Sequence, residues 1–221
     1  MDKLAMRLIL LLTIISVCST RILAAVPDAR VVPAGVALEL MFDEHRTAKP
    51  TSRALLQRKT FLDMLKVSKE RLQIAFAIDG TDSMGNDIRS VLDGLEPMVS
   101  SLARHKDGPE NVSFSLVVYR DTEASSGPVR CPLGRQFTNS LPTLREAIAG
   151  IETQTGRPYF PELVDLGIKE AIQGLDWEDG ADTSRWILVF GDAPPFREGY
   201  QNKEQNAQRH YSNQSLIESA A

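Results

Sequence analysis

Residues 72–85 read LQIAFAIDGTDSMG, and this stretch decides the fold prediction. The run from Leu72 to Ile78 is short and mostly apolar, as expected of a strand buried on both faces of a parallel sheet. It ends at Asp79, and a polar loop follows. Beyond the loop, apolar residues between Ile88 and Leu102 recur every three or four positions, which predicts a helix. This strand–loop–helix order is that of an α/β unit.

The same alternation continues toward the carboxyl terminus. Val112–Tyr119 is rich in β-branched and aromatic residues and predicts a strand, and Trp186–Phe190 predicts another. Helices are predicted over Leu163–Leu175 and around Leu144–Ile151, and Phe137–Ser140 is interpreted as a brief strand. Strands that alternate with helices predict a doubly wound, Rossmann-like α/β domain with a mostly parallel sheet. In such sheets, ligands bind at the carboxyl ends of the strands.

The amino terminus has the features of a targeting segment. Residues 1–25 contain a short basic region, an uncharged apolar run and small residues before a plausible cleavage position, as a secretory signal peptide does. The apolar run is shorter than the about 20 residues that span a bilayer. We therefore predict export to the periplasm or the extracellular space, with an uncleaved membrane anchor as the alternative. Residues 26–71 are interpreted as a leader with a linker and an amphipathic helix over 55–67, and residues 72–221 as the main domain.

The composition is that of a globular protein, with 43% hydrophobic and 24% charged residues. The net charge of -4 and the lack of a basic stripe argue against a nucleic-acid-binding surface. No glycine-rich phosphate loop is present, so nucleotide binding has no support. Loss of Cys18 with the signal peptide leaves Cys131 alone, and no internal disulfide is expected.

Hard oxygen donors follow the first core strand. Asp79, Thr81 and Ser83 alternate along the chain, so in an extended loop their side chains point the same way. A carboxylate and two hydroxyls suit Mg²⁺, Mn²⁺ or Ca²⁺ rather than zinc or copper. Asp192 follows a later apolar strand, and parallel strands end at the same edge of a sheet. The two carboxylates are therefore predicted to meet in one shallow site.

Each of these residues also has a purely structural interpretation. Serine and aspartate are favoured at helix N-caps because their oxygens accept hydrogen bonds from backbone amides, and the loop after Asp79 precedes a helix. Asp192 stands before Ala-Pro-Pro, where aspartate is also an ordinary turn residue.

Asp-x-Thr-x-Ser after an apolar strand resembles the metal-ion-dependent adhesion site of von Willebrand factor A domains. Residues 114–121 (FSLVVYRD), 160–162 (FPE) and 186–195 (WILVFGDAPP) resemble three further segments of that fold, in the same order. The resemblance spans residues 72–195 and implies a binding module rather than an enzyme. It implies that Asp79, Thr81, Ser83 and Asp192 hold a divalent ion, Mg²⁺ or else Mn²⁺ or Ca²⁺. An acidic residue of an unidentified protein partner would complete the coordination.

The chain departs from the family pattern in two places. In the loop before Pro161-Glu162, the position that often carries threonine or aspartate falls nearest Tyr159, a poor ligand, and Thr153 or Thr155 are the substitutes. The fold normally continues with two more strands and a helix, so the C-terminal part of the domain looks incomplete and one sheet edge is expected to be open. A metal-free structural interaction domain, or a gene fragment, is therefore the alternative.

A serine hydrolase is a third hypothesis. Ser83, Asp192 and His210 occur in the order used by α/β-hydrolases. A nucleophile elbow, however, needs glycine two residues before and two residues after the serine. Gly85 satisfies one requirement, but Thr81 occupies the other position, and its β-carbon crowds a sharp turn.

Overall fold

A computed structural model describes residues 7–9, 70–104, 109–121, 124–154, 162–193, 211, 215–216 and 219. The amphipathic helix predicted over residues 55–67 lies outside these ranges. Within the described ranges, no helix combines the length and the apolar character needed to cross a membrane.

A five-stranded sheet with the order β1-β5-β2-β3-β4 forms the centre of the fold. Strands β1, β5, β2 and β3 run parallel, and the short β4 runs antiparallel to β3. This confirms the predicted α/β class with a mostly parallel sheet. The strands are β1 (Arg7–Ile9), β2 (Arg71–Asp79), β3 (Asn111–Tyr119), β4 (Val129–Arg130) and β5 (Thr183–Phe190).

Helices cover both faces of the sheet. Helices α1 (Gly85–Arg104) and α2 (Leu141–Ala149) share one apolar cluster with the sheet, and α3 (Val164–Gln173) shares the other. Alternate residues of β2 contribute to the two clusters, because successive side chains of a strand point to opposite faces. The strand is therefore buried on both faces from Leu72 to Asp79, and its residues there are apolar except for Gln73 and Asp79. The arrangement is doubly wound, as predicted.

The strand predicted over Phe137–Ser140 is wrong in extent. Only Thr138 pairs with β3, through a bridge to Phe114. The chain then turns into α2 at once, because the Ser140 hydroxyl accepts a hydrogen bond from the backbone N–H of Thr143 at 3.2 Å. Ser140 thus serves as an N-cap, and this local bond ends the extended segment.

The sequence predicts that one edge strand of the sheet is unpaired, but β5 has a partner on its outer edge. The backbone of β1 pairs with β5 from Trp186 to Leu188, so the outer edge of β5 is covered over these residues. Strand β1 belongs to the segment that the sequence predicts as a signal peptide. Export of the chain stays a prediction. Residues Arg7–Ile9 of this segment pair with the outer edge of β5.

The central strand β2 ends at the point where the chain connections diverge. The connection from β2 to β3 runs through α1 on one face, whereas α3, on the opposite face, leads into β5. In open α/β sheets, such a switch point leaves a crevice at the carboxyl ends of the strands. The candidate site lies there.

Candidate metal centre

The loop after β2 gathers three of the predicted ligands. Asp79 is fully buried, and its Oδ1 accepts hydrogen bonds from the backbone N–H of Thr81 at 2.8 Å and from its hydroxyl at 2.9 Å. The hydroxyl oxygens of Thr81 and Ser83 lie 3.1 Å apart. Ser83 is exposed, so this chain of polar groups leads from the buried strand end to the surface.

The predicted reason for this grouping is wrong. Residues Asp82–Met84 form a turn of 3₁₀ helix rather than an extended loop, so the side chains do not alternate. The backbone N–H of Met84 donates to the Thr81 carbonyl at 3.0 Å, and the Met84 side chain is buried in the core. Burial of Met84 in the core therefore stabilises the turn. The turn brings the hydroxyl of Ser83 close to that of Thr81.

Three carboxyl groups converge beside this loop. Asp79 ends β2, Asp192 follows β5 by two residues, and Glu162 lies just before α3. One carboxylate oxygen from each residue can be chosen so that all three lie within 4.8 Å of one another. Asp79 and Glu162 are buried, and Asp192 is half-buried. We call these three residues the carboxylate cluster.

The carboxylate cluster is short of hydrogen-bond donors. Three buried oxygens, Asp79 Oδ2, Glu162 Oε2 and Asp192 Oδ1, have no hydrogen-bond partner. An unpartnered buried acceptor costs about 1–3 kcal/mol, and more when it is charged. A cation in contact with these oxygens would relieve that cost.

The electrostatics of the carboxylate cluster favour bound protons when no cation is present. Burial raises the pKa of Asp79 to about 6, and the charge of Asp192 adds to the rise. Burial also raises the pKa of Glu162 to about 11, with contributions from its contact with Asp79 and from the charge of Asp192. Burial and the charge of Asp192 raise the pKa of Asp87 at the edge of the site. Like charges at this spacing cannot all ionise without a compensating charge.

Tyr119 and Gly191 pack at the ends of β5 and β2, next to the carboxylate cluster. The buried Tyr119 hydroxyl donates to the Phe190 carbonyl at 2.8 Å. A β-carbon at Gly191 would overlap the Tyr119 hydroxyl and would lie 3.6 Å from the β-carbon of Asp79. Glycine at this position therefore lets the end of β5 approach the end of β2 closely enough to bring Asp192 to Asp79.

The donor set fits the chemistry of a hard divalent cation. Three carboxyl groups and the hydroxyls of Thr81 and Ser83 are all oxygen donors, which Mg²⁺, Mn²⁺ and Ca²⁺ prefer. A bound cation would supply the partner that the buried oxygens lack. Its charge would also oppose the burial and the repulsion that raise the pKa values of Asp79 and Glu162. No sulfur or imidazole donor joins the described part of the carboxylate cluster.

Thr153 and Thr155 are the two substitute ligands that the sequence predicts. Thr153 is half-buried, and within the described ranges no hydrogen bond joins it to the carboxylate cluster. Its neighbour Gln154 bridges Thr81, with its backbone N–H donating to the Gly80 carbonyl at 3.0 Å. Thr155 lies outside the described residues, as does His210 of the hydrolase hypothesis.

Sequence reasoning missed Glu162 as a cluster residue. The sequence places it in the FPE segment of the family resemblance but not among the ligands, whereas the structure brings it to Asp79 and Asp192. The available signal was its place directly before α3, after a proline and ahead of an apolar helical run. In a doubly wound fold, that helix starts near the carboxyl edge of the sheet, so an acidic residue there belongs on the list of candidate ligands.

No protein-family model matches the chain. No curated protein matches it either. Among solved structures, the pilus adhesin SpaC from Lactobacillus rhamnosus GG, in its open conformation, is similar with a TM-score of 0.43 and 15% identity. The match covers 58% of this chain and 16% of the adhesin chain, so this chain spans only a small part of that protein.

Proposed function

We propose that this chain is a von Willebrand factor A-type binding module in which a divalent cation at the carboxylate cluster binds an acidic side chain of a partner protein. The observation that carries the proposal is the convergence of three carboxyl groups with three buried oxygens that lack hydrogen-bond partners. The proposal keeps the chain exported and non-enzymatic, as its sequence suggests.

The proposed ligands are the carboxylates of Asp79 and Asp192 and the hydroxyls of Thr81 and Ser83, joined by the carboxyl of Glu162. A bound cation would supply a fixed positive charge at the sheet edge, and a partner carboxylate would meet that charge. Ser83 is the exposed member of the set. The partner is therefore expected to approach from the side of the β2–α1 loop.

Cation binding competes with protons in this proposal. The buried carboxyls of Asp79 and Glu162 have raised pKa values, and they must lose protons to serve as ligands. Affinity for the ion should therefore increase with pH, and binding should release protons into the buffer.

A metal-free interaction domain is the second candidate, and one observation favours it. The contact between the carboxyls of Asp79 and Glu162 allows a proton to lie between them, which neutralises part of the carboxylate cluster without an ion. In that case the carboxylate cluster would be a structural feature of the sheet edge, and the partner would bind elsewhere.

Calorimetric titration with Mg²⁺ distinguishes the two candidates. Wild-type protein should give a saturable heat with one ion per chain, and Asp79→Asn should abolish it. Asparagine retains an oxygen that accepts hydrogen bonds from Thr81, so this variant removes charge with little change of shape. Asp82→Asn is the matched control, because Asp82 is exposed in the same loop and should leave the heat unchanged. Equal heats from wild type and Asp79→Asn would contradict the metal proposal.

The acidic-partner part of the proposal needs a separate titration. N-acetyl-aspartate added to ¹⁵N-labelled protein should shift amide signals of the β2–α1 loop when Mg²⁺ is present. In EDTA the shifts in that loop should vanish, because the cation makes the contact. Shifts in the loop that are the same in Mg²⁺ and in EDTA would show that the ion does not mediate binding of the acid.

A further inference from the structure

A second polar feature lies beside the carboxylate cluster, on the side of β3 and β4. It is a half-open cavity of about 400 Å³. The polar residues that line it are Arg120, Ser126, Arg130, Glu152 and Gln154. Two of these residues are arginines, and neither forms an ion pair with a carboxylate among the residues that the structure describes. We call this feature the arginine cavity.

Arg120 is the buried arginine, with only 4% of its surface exposed. Its Nη2 donates to the Glu152 carbonyl at 2.9 Å, but its Nε and Nη1 are buried and have no hydrogen-bond partner. A guanidinium stays protonated in proteins, so these N–H groups cannot be relieved by loss of a proton. The side chain is therefore short of acceptors in the wall of the arginine cavity.

The other groups of the arginine cavity mainly add donors. Arg130, in β4, is exposed, and its charge helps burial to lower the pKa of Arg120. The side-chain oxygen of Gln154 already accepts hydrogen bonds from the backbone N–H and the hydroxyl of Ser126, at 3.3 and 3.2 Å. The NH₂ group of Gln154 can still donate hydrogen bonds. Exposed Glu152 supplies the only carboxylate among the described lining residues.

We propose that the arginine cavity is a binding site for an oxyanion, a carboxylate or a phosphate group, held between the guanidinium groups of Arg120 and Arg130. Planar guanidinium groups match the geometry of both anions and form short charge-assisted hydrogen bonds with them. An oxyanion supplies the acceptors that Arg120 lacks, and Glu152 opposes it by its negative charge. The site needs no metal ion and is independent of the function proposed above.

Two probes in EDTA distinguish the sources of the anion. ¹⁵N-labelled protein is titrated with N-acetyl-aspartate, which represents an acidic peptide, and separately with inorganic phosphate. The Nε–H signal of Arg120 and the amide signals around Arg130 and Gln154 should shift saturably with one probe or both. Saturation by N-acetyl-aspartate assigns the site to acidic peptides, and saturation by phosphate alone assigns it to phosphate-bearing ligands.

Charge variants at the surface make the test specific without disturbing the core. Arg130→Gln should weaken anion binding by at least about tenfold, because one charge-assisted contact is lost. Glu152→Gln should tighten it, because a repelling carboxylate disappears. Arg145→Gln is the control: Arg145 pairs with Glu96 at 3.7 Å, does not line the cavity, and should leave the affinity unchanged.

The opposite results would overturn the oxyanion site. These are no saturable shift with either probe, equal affinity of Arg130→Gln and wild type, or no gain in Glu152→Gln. Shifts near Arg120 that require Mg²⁺ would also contradict it and would assign the anion to the carboxylate cluster. Conversely, anion binding in EDTA by a protein that gives no Mg²⁺ heat would support this site while removing the metal proposal.

Discussion

The carboxylate cluster and the arginine cavity meet at Gly80, which follows Asp79 and lies against the Arg120 side chain. Both regions leave buried polar atoms without partners. They differ in how the missing partner can be replaced. The carboxyls of Asp79 and Glu162 can take up protons, because burial raises the pKa of Asp79 to about 6 and that of Glu162 to about 11. Without an ion, Glu162 therefore keeps its proton at neutral pH, and Asp79 takes one up in mild acid. The guanidinium of Arg120 has no such option, because it stays charged. The same sheet edge thus carries one region that protons can neutralise and one that needs an anion.

Ligand binding at the two regions should therefore respond differently to pH. Cation binding at the carboxylate cluster must displace protons, so it should depend strongly on pH. The guanidinium groups of the arginine cavity stay charged near neutral pH, so binding of a carboxylate there should depend weakly on pH. Variants of the carboxylate cluster and its surroundings test whether the two regions differ in this way.

After the complete loss expected of Asp79→Asn, the largest effect on Mg²⁺ affinity is expected from Glu162→Gln. Loss of an outer-shell partner typically costs about 10- to 100-fold in metal affinity, and loss of a ligating carboxyl should cost at least as much. Glu146→Gln on the exposed side of α2 is the control and should bind Mg²⁺ as wild type does. An unchanged affinity in Glu162→Gln, measured by calorimetry, would remove Glu162 from the ligand set.

The stability of the metal-free protein should fall as pH rises. The folded-state pKa values of Asp79 and Glu162 lie above their ordinary values, so the folded protein holds more protons than the unfolded chain. The contribution of Asp79 is then lost between about pH 4 and about pH 6, and that of Glu162 declines across neutral pH. Urea unfolding in EDTA from about pH 5 to about pH 8 measures the trend. Glu162→Gln should flatten it, and an equal slope in both proteins would contradict the assignment.

Gly191→Ala should disturb the packing of the strand ends next to the carboxylate cluster and lower the free energy of unfolding. The new methyl group overlaps the Tyr119 hydroxyl, which donates to the Phe190 carbonyl. Overpacking of a filled core typically costs about 1–3 kcal/mol of unfolding free energy. Gly85→Ala is the control, because its β-carbon meets nothing within 4 Å and α-helical backbone favours alanine. Equal denaturation midpoints for Gly191→Ala and wild type would show that the strand ends are not closely packed.

The smallest effect is expected from Ser83→Ala. Ser83 is exposed and contributes a neutral hydroxyl, so Mg²⁺ affinity should fall only a few-fold. The unfolding free energy should stay within about 0.5 kcal/mol, as for most surface substitutions. A loss of Mg²⁺ binding as complete as that of Asp79→Asn would mean that the hydroxyl, rather than the carboxylates, dominates the site.

The sheet and its helices could be predicted because two simple periodicities determine them. Strands buried on both faces, such as β2, are continuous apolar runs, and α1 shows apolar residues every three or four positions. Asp79 and Asp192 could be placed at one edge because parallel strands end together. The short strand over Phe137–Ser140 was overestimated because the N-cap bond of Ser140 competes with strand pairing.

The rest of the site depends on tertiary packing, which local patterns do not contain. Glu162 reaches the carboxylate cluster only because α3 packs on the face opposite α1, with its first turn at the carboxyl edge of the sheet. The 3₁₀ turn at Ser83 follows from the burial of Met84. Arg120 directly follows β3, and its burial becomes visible only when Gly80 and Glu152 are packed around it.

The cation site is tested most sharply by anomalous diffraction from crystals grown with MnCl₂ at about pH 8, where the acidic groups lose protons more readily than at lower pH. Manganese prefers the same oxygen donors as magnesium and scatters anomalously. We expect one strong anomalous peak in contact with the carboxylates of Asp79, Glu162 and Asp192. A map with no peak at these oxygens, from crystals in which their side chains are well ordered, would contradict it.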